Sequence, residues 1–476
     1  MVHVPILRAG VPYRSLETAR LSDQRDGSVL AEVSQANRGL IARDLQDAPR
    51  HARALRQVPA AQLVGICRKA AQLFTEADLP IDEGATQSPT DYLRQLSGST
   101  CMPVALCRAN MEKIRFVLDQ MAQVMAGLTR GLDLAVLDGG WGMESGRRVA
   151  YRAEGEMLGA VLPNNSPGVH SLWVPAFALK YLLVLKPGRQ EPWTPLRIIR
   201  ALMAAGAPRE SFFYYPTDHA GAAEILLRTQ RSLLFGDAGT LRAWQDDPRV
   251  QLHGPGWSKV ILGRDAAPAY ERYLDVMEAS VADNGGRSCL NTSGIWAASH
   301  GRKIAEALAA RLARIEARGL DDPAARLCGF AEPRQAELVS RHIDNLLAVP
   351  GATDMTAALR KGPRVARAGG VTFLMPTVIW CEDPEHPLAA CEFLFPFVSV
   401  VEMDQSRILS RIGSTLVATV ISDEQEFQHE AMSSGSIDRL NLGPMPTSRV
   451  SWDQPHEGNL FQHLYRQRAL QSAGAA

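Results

Sequence analysis

No run of 18 apolar residues occurs anywhere in this chain, so no segment reads as a membrane-spanning helix, which needs roughly 20. Neither sign of charge is in excess. Lys+Arg and Asp+Glu are both 51 and the formal net charge is zero, which argues against nucleic acid or an anionic membrane as partner, since both call for a basic surface. Cysteine is scarce and odd in number: the seven thiols (Cys67, Cys101, Cys107, Cys289, Cys328, Cys381, Cys391) are too scattered for a secreted disulfide framework. There is no Cys-x-x-Cys, and none of the 11 His falls in a His-x3-His pair, so the spacings that hold zinc are missing and no metal site is expected. The Gly-x-Gly-x-x-Gly phosphate turn is also absent. Residues 1–20 carry Arg8, Arg14, Glu17 and Arg20 and no apolar core of signal-peptide length. A reduced, cytoplasmic setting is the expectation.

What is present is a long globular composition, 476 residues with 46% hydrophobic and 21% charged, too much chain for one ordinary core. The first 130 residues read mostly as helix, with apolar residues three and four apart over 61–74 and 111–128. Segments 133–138 and 146–151 bracket Gly139, Gly140, Gly142 and Gly146 and predict a β-ribbon arm. From 157 onward short apolar strands (157–162, 181–185, 211–215, 231–235, 250–252, 260–262) alternate with helices of about 12 residues, the pattern of a parallel sheet covered on both faces. Such sheets bind nucleotides at the carboxyl ends of their strands. A second α/β region follows over about 264–445, and 447–452 reads as one more strand.

Cys289 lies in Asn284-Gly285-Gly286-Arg287-Ser288-Cys289-Leu290-Asn291, a glycine-rich turn after a helix. Glycines permit a tight turn and close approach to a ligand, and turn amides are expected to draw the thiol toward the nucleophilic thiolate. Four further segments accompany it in order: Pro163-Asn164-Asn165-Ser166-Pro167, Leu185-Lys186-Pro187, Gly206-Ala207-Pro208 and Glu392-Phe393-Leu394-Phe395-Pro396-Phe397. Together they resemble the aldehyde dehydrogenase superfamily over roughly residues 150–440. That resemblance implies Cys289 as nucleophile, Asn165 as oxyanion donor, Lys186 on the adenosine ribose and Glu392 on the nicotinamide ribose. It also places Pro163, Arg189 and Gly236 around an NAD or NADP cofactor.

The departures shape the activity that is implied. Hydrolytic members carry Glu-Leu-Gly-Gly where this chain has Leu252-His253-Gly254-Pro255-Gly256, so the water-activating carboxylate is replaced. The Gly-Pro-Gly segment resembles the coenzyme A-acylating branch, which interconverts an aldehyde and an acyl thioester, with coenzyme A as cosubstrate. The alternative is a hydrolytic dehydrogenase that recruits His253 or another base. Arg189 stands where a Glu would repel a 2′-phosphate, and an arginine pairs with one, so NADP enters beside NAD. The loop Phe235-Gly236-Asp237-Ala238-Gly239 also departs from the family's pattern. The implied fold class is α/β, with two Rossmann-type parallel-sheet domains and a small β arm. The nucleotide-binding domain is expected over 1–130 and 151–263, the catalytic domain over 264–445, and the oligomerisation arm and tail over 131–150 and 446–476. A homodimer or homotetramer is implied, with no nucleic acid and no membrane insertion.

Overall fold

Two seven-stranded sheets organise the chain in the computed structural model, which describes residues 2–455, 457–471 and 473. The first runs, edge to edge, Val250–His253, Arg231–Phe235, Met157–Val161, Leu182–Lys186, Phe212–Tyr214, Ile6–Arg8 and Val11–Tyr13. Its first five strands are parallel, with Val161 beside Lys186 and Phe235 beside His253; the last two pair antiparallel. The second runs Ala352–Asp354, Thr377–Cys381, Phe397–Glu402, Thr292–Ala297, Ser258–Leu262, Thr415–Ile421 and Ile437–Leu442, parallel except at its Ala352–Asp354 edge. Met157–Val161 and Ser258–Leu262 are buried at every position, as parallel strands covered on both faces must be.

Helix Ala60–Glu76 turns Leu63, Cys67, Ala70 and Phe74 into the first core. Its end is held by the buried Arg197 of helix Trp193–Ala204, whose guanidinium donates to the carbonyls of Phe74 (2.9 Å), Ala77 (2.8 Å) and Gln87 (2.8 Å). The bonds to Phe74 and Ala77 satisfy carbonyls that the helix end leaves orphaned, and the one to Gln87 ties in strand Ala85–Gln87, although burial pulls Arg197 down to about 10. No helix among the described residues is long and apolar enough to cross a membrane. No cluster of three or more His, Cys, Asp or Glu able to hold a metal is found among them.

Several expectations need correction. The first 130 residues are mostly helical, but residues 2–34 form short strands, and Ile6–Arg8 closes onto Phe212–Tyr214 of the first sheet. Ser258–Leu262 belongs to the second sheet, so the chain changes sheets at residues 254–257 and not after 263. The arm is a hairpin of Trp141–Glu144 and Arg147–Ala153, turning at Gly146 (φ +77°), and Tyr465–Arg468 of the tail pairs with it. The 133–138 side of the expected ribbon is instead the short helix Ala135–Gly139. Residues 447–452 form no strand; proline at 446 removes a donor just before them.

Candidate active site

Helix Leu274–Ala282 ends in a turn in which Asn284 (φ +53°), Gly285 (φ +68°) and Gly286 (φ +71°) are all left-handed. A Cβ on Gly285 would lie 2.6 Å from the Cys328 sulfur, and one on Gly286 only 2.4 Å from the Phe395 carbonyl carbon. Glycine is therefore required twice over, by φ and by space. Asn291 pins the next step by accepting from the Ser288 amide (2.9 Å) and donating to the carbonyls of Ser280 (3.2 Å) and Asp283 (3.0 Å). Cys289 emerges just ahead of strand Thr292–Ala297. Ser258 Oγ donates to its carbonyl at 2.8 Å, and a Cβ on Gly256 would stand 2.0 Å from that same oxygen. The segment 254–257 that links the two sheets thus lies directly on the Cys289 backbone.

The thiol faces a carboxylate that arrives from far along the chain. Cys289 Sγ donates to Glu457 Oε1 at 3.0 Å, and His253 Nδ1 lies 2.5 Å from Glu457 Oε2. Glu457 sits at φ +51° beside Gly458 (φ +89°), and Gln251 donates to its backbone carbonyl. The His253 ring stacks on Phe235 with centroids 4.4 Å apart. Burial first, then Glu457 and Glu392, hold the thiol well above its ordinary range, against the opposing charge of Lys113. Against the draw toward thiolate expected of the turn amides, desolvation and the carboxylates push the thiol up. Cys289, Glu457 and Lys113 line one pocket with Asn110, Val169 and Leu172.

Asn165, Glu392 and Gly236 reach this centre through contacts at Arg287, Gly256 and His253, whereas Pro163, Lys186 and Arg189 stand at the strand ends of the first sheet. Asn165 Nδ2 donates to the Arg287 carbonyl at 3.3 Å, two residues from Cys289 in the chain, and that bond uses one of its two amide hydrogens. Glu392 accepts from the amides of Gly256 (3.0 Å) and Trp257, so its carboxylate braces the linking segment. Burial raises it to about 7 despite those amides, while burial lowers its neighbour Lys259 to about 8. Pro163 and Lys186 meet at adjacent strand ends, where the Leu162 amide donates to the Lys186 carbonyl (2.9 Å) and the Pro163 carbonyl leaves no room for a Cβ on Gly188. Lys186 is half-buried and its ammonium is depressed by desolvation, with Asp218 opposing. Arg189 is exposed. Gly236 follows strand Arg231–Phe235 and donates its amide to the His253 carbonyl at 3.1 Å.

A dinucleotide fits these strand ends. Chain order reverses between Met157–Val161 and Arg231–Phe235, the switch point at which open parallel sheets bind ligands. Two buried polar atoms without partners among the described residues, Asn165 Oδ1 and His253 Nε2, lie at or just beyond strand ends on this side of the sheet, where a polar ligand would satisfy them. Lys186 and Arg189 offer cations.

Sequence reasoning missed several members of the site. Glu457 is 168 residues from Cys289 and lies in an irregular segment with no periodicity to mark it. Asn110, Asn284 and Ser166 form a closed ring of hydrogen bonds, Asn110 to Asn284 at 2.7 Å, Asn284 to Ser166 at 3.0 Å and Ser166 to Asn110 at 3.2 Å. Asn284 had signalled only a turn, whereas its amide joins helix Val104–Asp119 to the nucleophile loop. Lys113 carried no signal beyond an ordinary helical lysine.

The aldehyde dehydrogenase family model matches residues 12–413. None of the curated proteins matches the chain in sequence. Solved structures match over nearly full length. A putative aldehyde dehydrogenase from Burkholderia cenocepacia is 17% identical with a TM-score of 0.77, covering 98% of this chain and 97% of that one. The aldehyde dehydrogenase KauB from Pseudomonas aeruginosa is 18% identical with a TM-score of 0.77, covering 99% and 96%. An indole-3-acetaldehyde dehydrogenase complexed with NAD+ is 17% identical with a TM-score of 0.75, covering 98% and 96%.

Proposed function

Since the chain belongs to the aldehyde dehydrogenase family and is an NAD(P)-dependent oxidoreductase, we propose that it interconverts an aldehyde and an acyl thioester through a covalent adduct on Cys289. The observation that carries this reading is the end of strand Val250–His253. It presents an imidazole where hydrolytic relatives carry a carboxylate, and the Gly254-Pro255-Gly256 segment after it is seated on the Cys289 carbonyl.

Cys289 sulfur bonds to the aldehyde carbon and the carbonyl electron pair moves onto oxygen. Asn165 and the Cys289 amide donate to that developing oxyanion; one such donor is worth about 10²–10³ in rate. A bound nicotinamide supplies the hydride acceptor. Pro163, Lys186, Gly236 and Glu392 hold that cofactor's side of the site, Glu392 through the segment it braces. Arg189 is the cation for a 2′-phosphate, which admits NADP as well as NAD. With that cofactor bound, the adduct carbon would give its hydride to the nicotinamide as the oxyanion returns to a carbonyl, leaving a thioester on Cys289; its acyl group then passes to an incoming thiol, coenzyme A in this reading, whose proton returns to the released Cys289 sulfur. The partners are then a small aldehyde or acyl thioester and, through the arm on which Trp141 and Met143 are exposed, a second copy of the chain in a dimer or tetramer.

One observation favours a second reading, release to water as a carboxylic acid. The Glu457–His253 pair supplies a base beside the sulfur. Steady-state turnover with and without coenzyme A separates the two. Turnover that needs the thiol and yields acyl-coenzyme A supports the first; undiminished turnover to free acid without any thiol sinks it.

A further inference from the structure

A half-buried thiol hydrogen-bonded to a carboxylate is poised for proton transfer but is not yet a nucleophile. The proton has to leave as the sulfur attacks, and the geometry restricts where it goes. Glu457 Oε1, at 3.0 Å, is the acceptor that the sulfur already addresses. The other charged groups around the pair are arranged differently. Glu392 has its oxygens on the Gly256 and Trp257 amides. Lys113 is a cation whose field favours the thiolate. Asp438 and Arg439 act on Glu457 from strand Ile437–Leu442, and Asp283 lines the pocket and bonds to Ser448 at 2.7 Å.

We propose that Glu457, brought in by the tail and oriented by His253, is the catalytic proton acceptor for Cys289. As the Sγ–C bond forms, the S–H bond breaks, its proton passes to Glu457 Oε1, and the carbonyl electron pair moves onto oxygen. His253 is a positioning residue. Its Nδ1 on Oε2 and the Gln251 bond to the Glu457 carbonyl fix the carboxylate against the sulfur, and the stack on Phe235 fixes the ring. The strand position that holds a carboxylate in hydrolytic relatives therefore serves here to hold a carboxylate supplied from elsewhere. This inference rests on Cys289 being the nucleophile and is indifferent to whether a thiol or water takes the acyl group.

The test is the pH dependence of two single events on the full-length enzyme: iodoacetamide alkylation of Cys289, and the first-turnover burst of NAD(P)H with a simple aldehyde. In the wild-type enzyme the proton moves within the pair, so alkylation is expected to stay nearly flat between pH 7 and 9. A lone buried thiol would instead quicken about tenfold per pH unit, because its reactivity follows the small thiolate fraction. In Glu457→Gln both events are expected to fall on the order of 10²–10⁴-fold at pH 7, the span of general-base assistance, and to regain the tenfold-per-unit rise. A tenfold-per-unit rise already present in the wild-type enzyme overturns the proposal whether or not the variant folds. So does a Glu457→Gln enzyme with unchanged or faster alkylation and burst. Cys289→Ala distinguishes failure of the underlying reading, because persistent aldehyde-dependent NAD(P)H formation in that variant removes the nucleophile itself.

Discussion

Replacing Gly256 by alanine isolates how closely the linking segment fits the nucleophile. The new Cβ would lie 2.0 Å from the Cys289 carbonyl oxygen, 2.8 Å from its carbon and 3.1 Å from its Cα. All three are backbone atoms, so no rotamer relieves the clash. Gly256 is not among the positive-φ glycines, so alanine brings no conformational strain and the effect is purely steric. Restoring a tolerable contact near 3.0 Å requires the two segments to part by about 1 Å. That motion stretches the 2.8 Å bond from Ser258 to the Cys289 carbonyl and the 3.0 Å bond from the Gly256 amide to Glu392. Overpacking of this kind costs about 1–3 kcal/mol, and each weakened hydrogen bond about 1 kcal/mol more. A 1 Å misplacement of a reacting atom costs on the order of 10² in rate. The expected result is a folded enzyme of lowered Tm whose kcat/KM falls about 100-fold through kcat. Gly65→Ala is the control. That glycine is exposed inside helix Ala60–Glu76 with nothing within 4 Å of an added Cβ, so alanine is expected to stabilise by about 0.5–1 kcal/mol without touching activity. Wild-type kinetics in Gly256→Ala would refute the placement of the linking segment against Cys289.

Three further outcomes follow from the same geometry. Glu392 is raised from 4.5 to about 7 by burial, so the folded protein keeps a proton that the unfolded chain has released. Stability contributed by this group is full below about pH 4.5 and is lost as pH rises through about 7, on the order of 3 kcal/mol in all. Glu392→Gln should flatten that part of the urea-midpoint profile, on top of a pH-independent loss from one unpaired amide; superimposable slopes would show that the carboxyl does not titrate there. Lys186→Ala is expected to raise KM for NAD(P) at least tenfold with a smaller change in kcat, measured at saturating aldehyde; an unchanged cofactor KM removes Lys186 from the cofactor site. His253→Phe keeps the stack on Phe235 but loses the bond to Glu457, a charge-assisted hydrogen bond worth about 1.5–3 kcal/mol. The first-turnover burst should therefore slow by roughly 10–100-fold, and an unaltered burst would separate His253 from Glu457.

The two-sheet architecture was legible because its central strands are almost wholly apolar and their helices have regular periods; Met157–Val161 and Leu182–Lys186 lie within a residue of where composition put them. The strands at residues 2–34 were not, because three-residue strands such as Ile6–Arg8 are too short to show alternation, and the partner that stabilises that one is some two hundred residues distant. The change of sheets before Ser258 was invisible for a related reason: Val250–His253 and Ser258–Leu262 are both short and follow one another closely, and which sheet each joins is set by distant neighbours. In the site, motif order is what singles out Cys289, Asn165, Lys186 and Glu392 for the roles proposed for them. The state of the sulfur is not legible that way. A turn sequence shows amides near a thiol, but desolvation and the approach of Glu457 from the tail are tertiary facts, and they outweigh the local ones.

The proposed chemistry requires that an acyl group rest on Cys289 and leave to a thiol. Mass spectrometry of the enzyme mixed with NAD(P) and an aldehyde, in the absence of any thiol, tests it most directly. The account predicts one equivalent of NAD(P)H, an acyl mass increment on the peptide containing Cys289, and discharge of that increment as acyl-coenzyme A when coenzyme A is added. Continuous turnover to free acid with no increment on that peptide would contradict it.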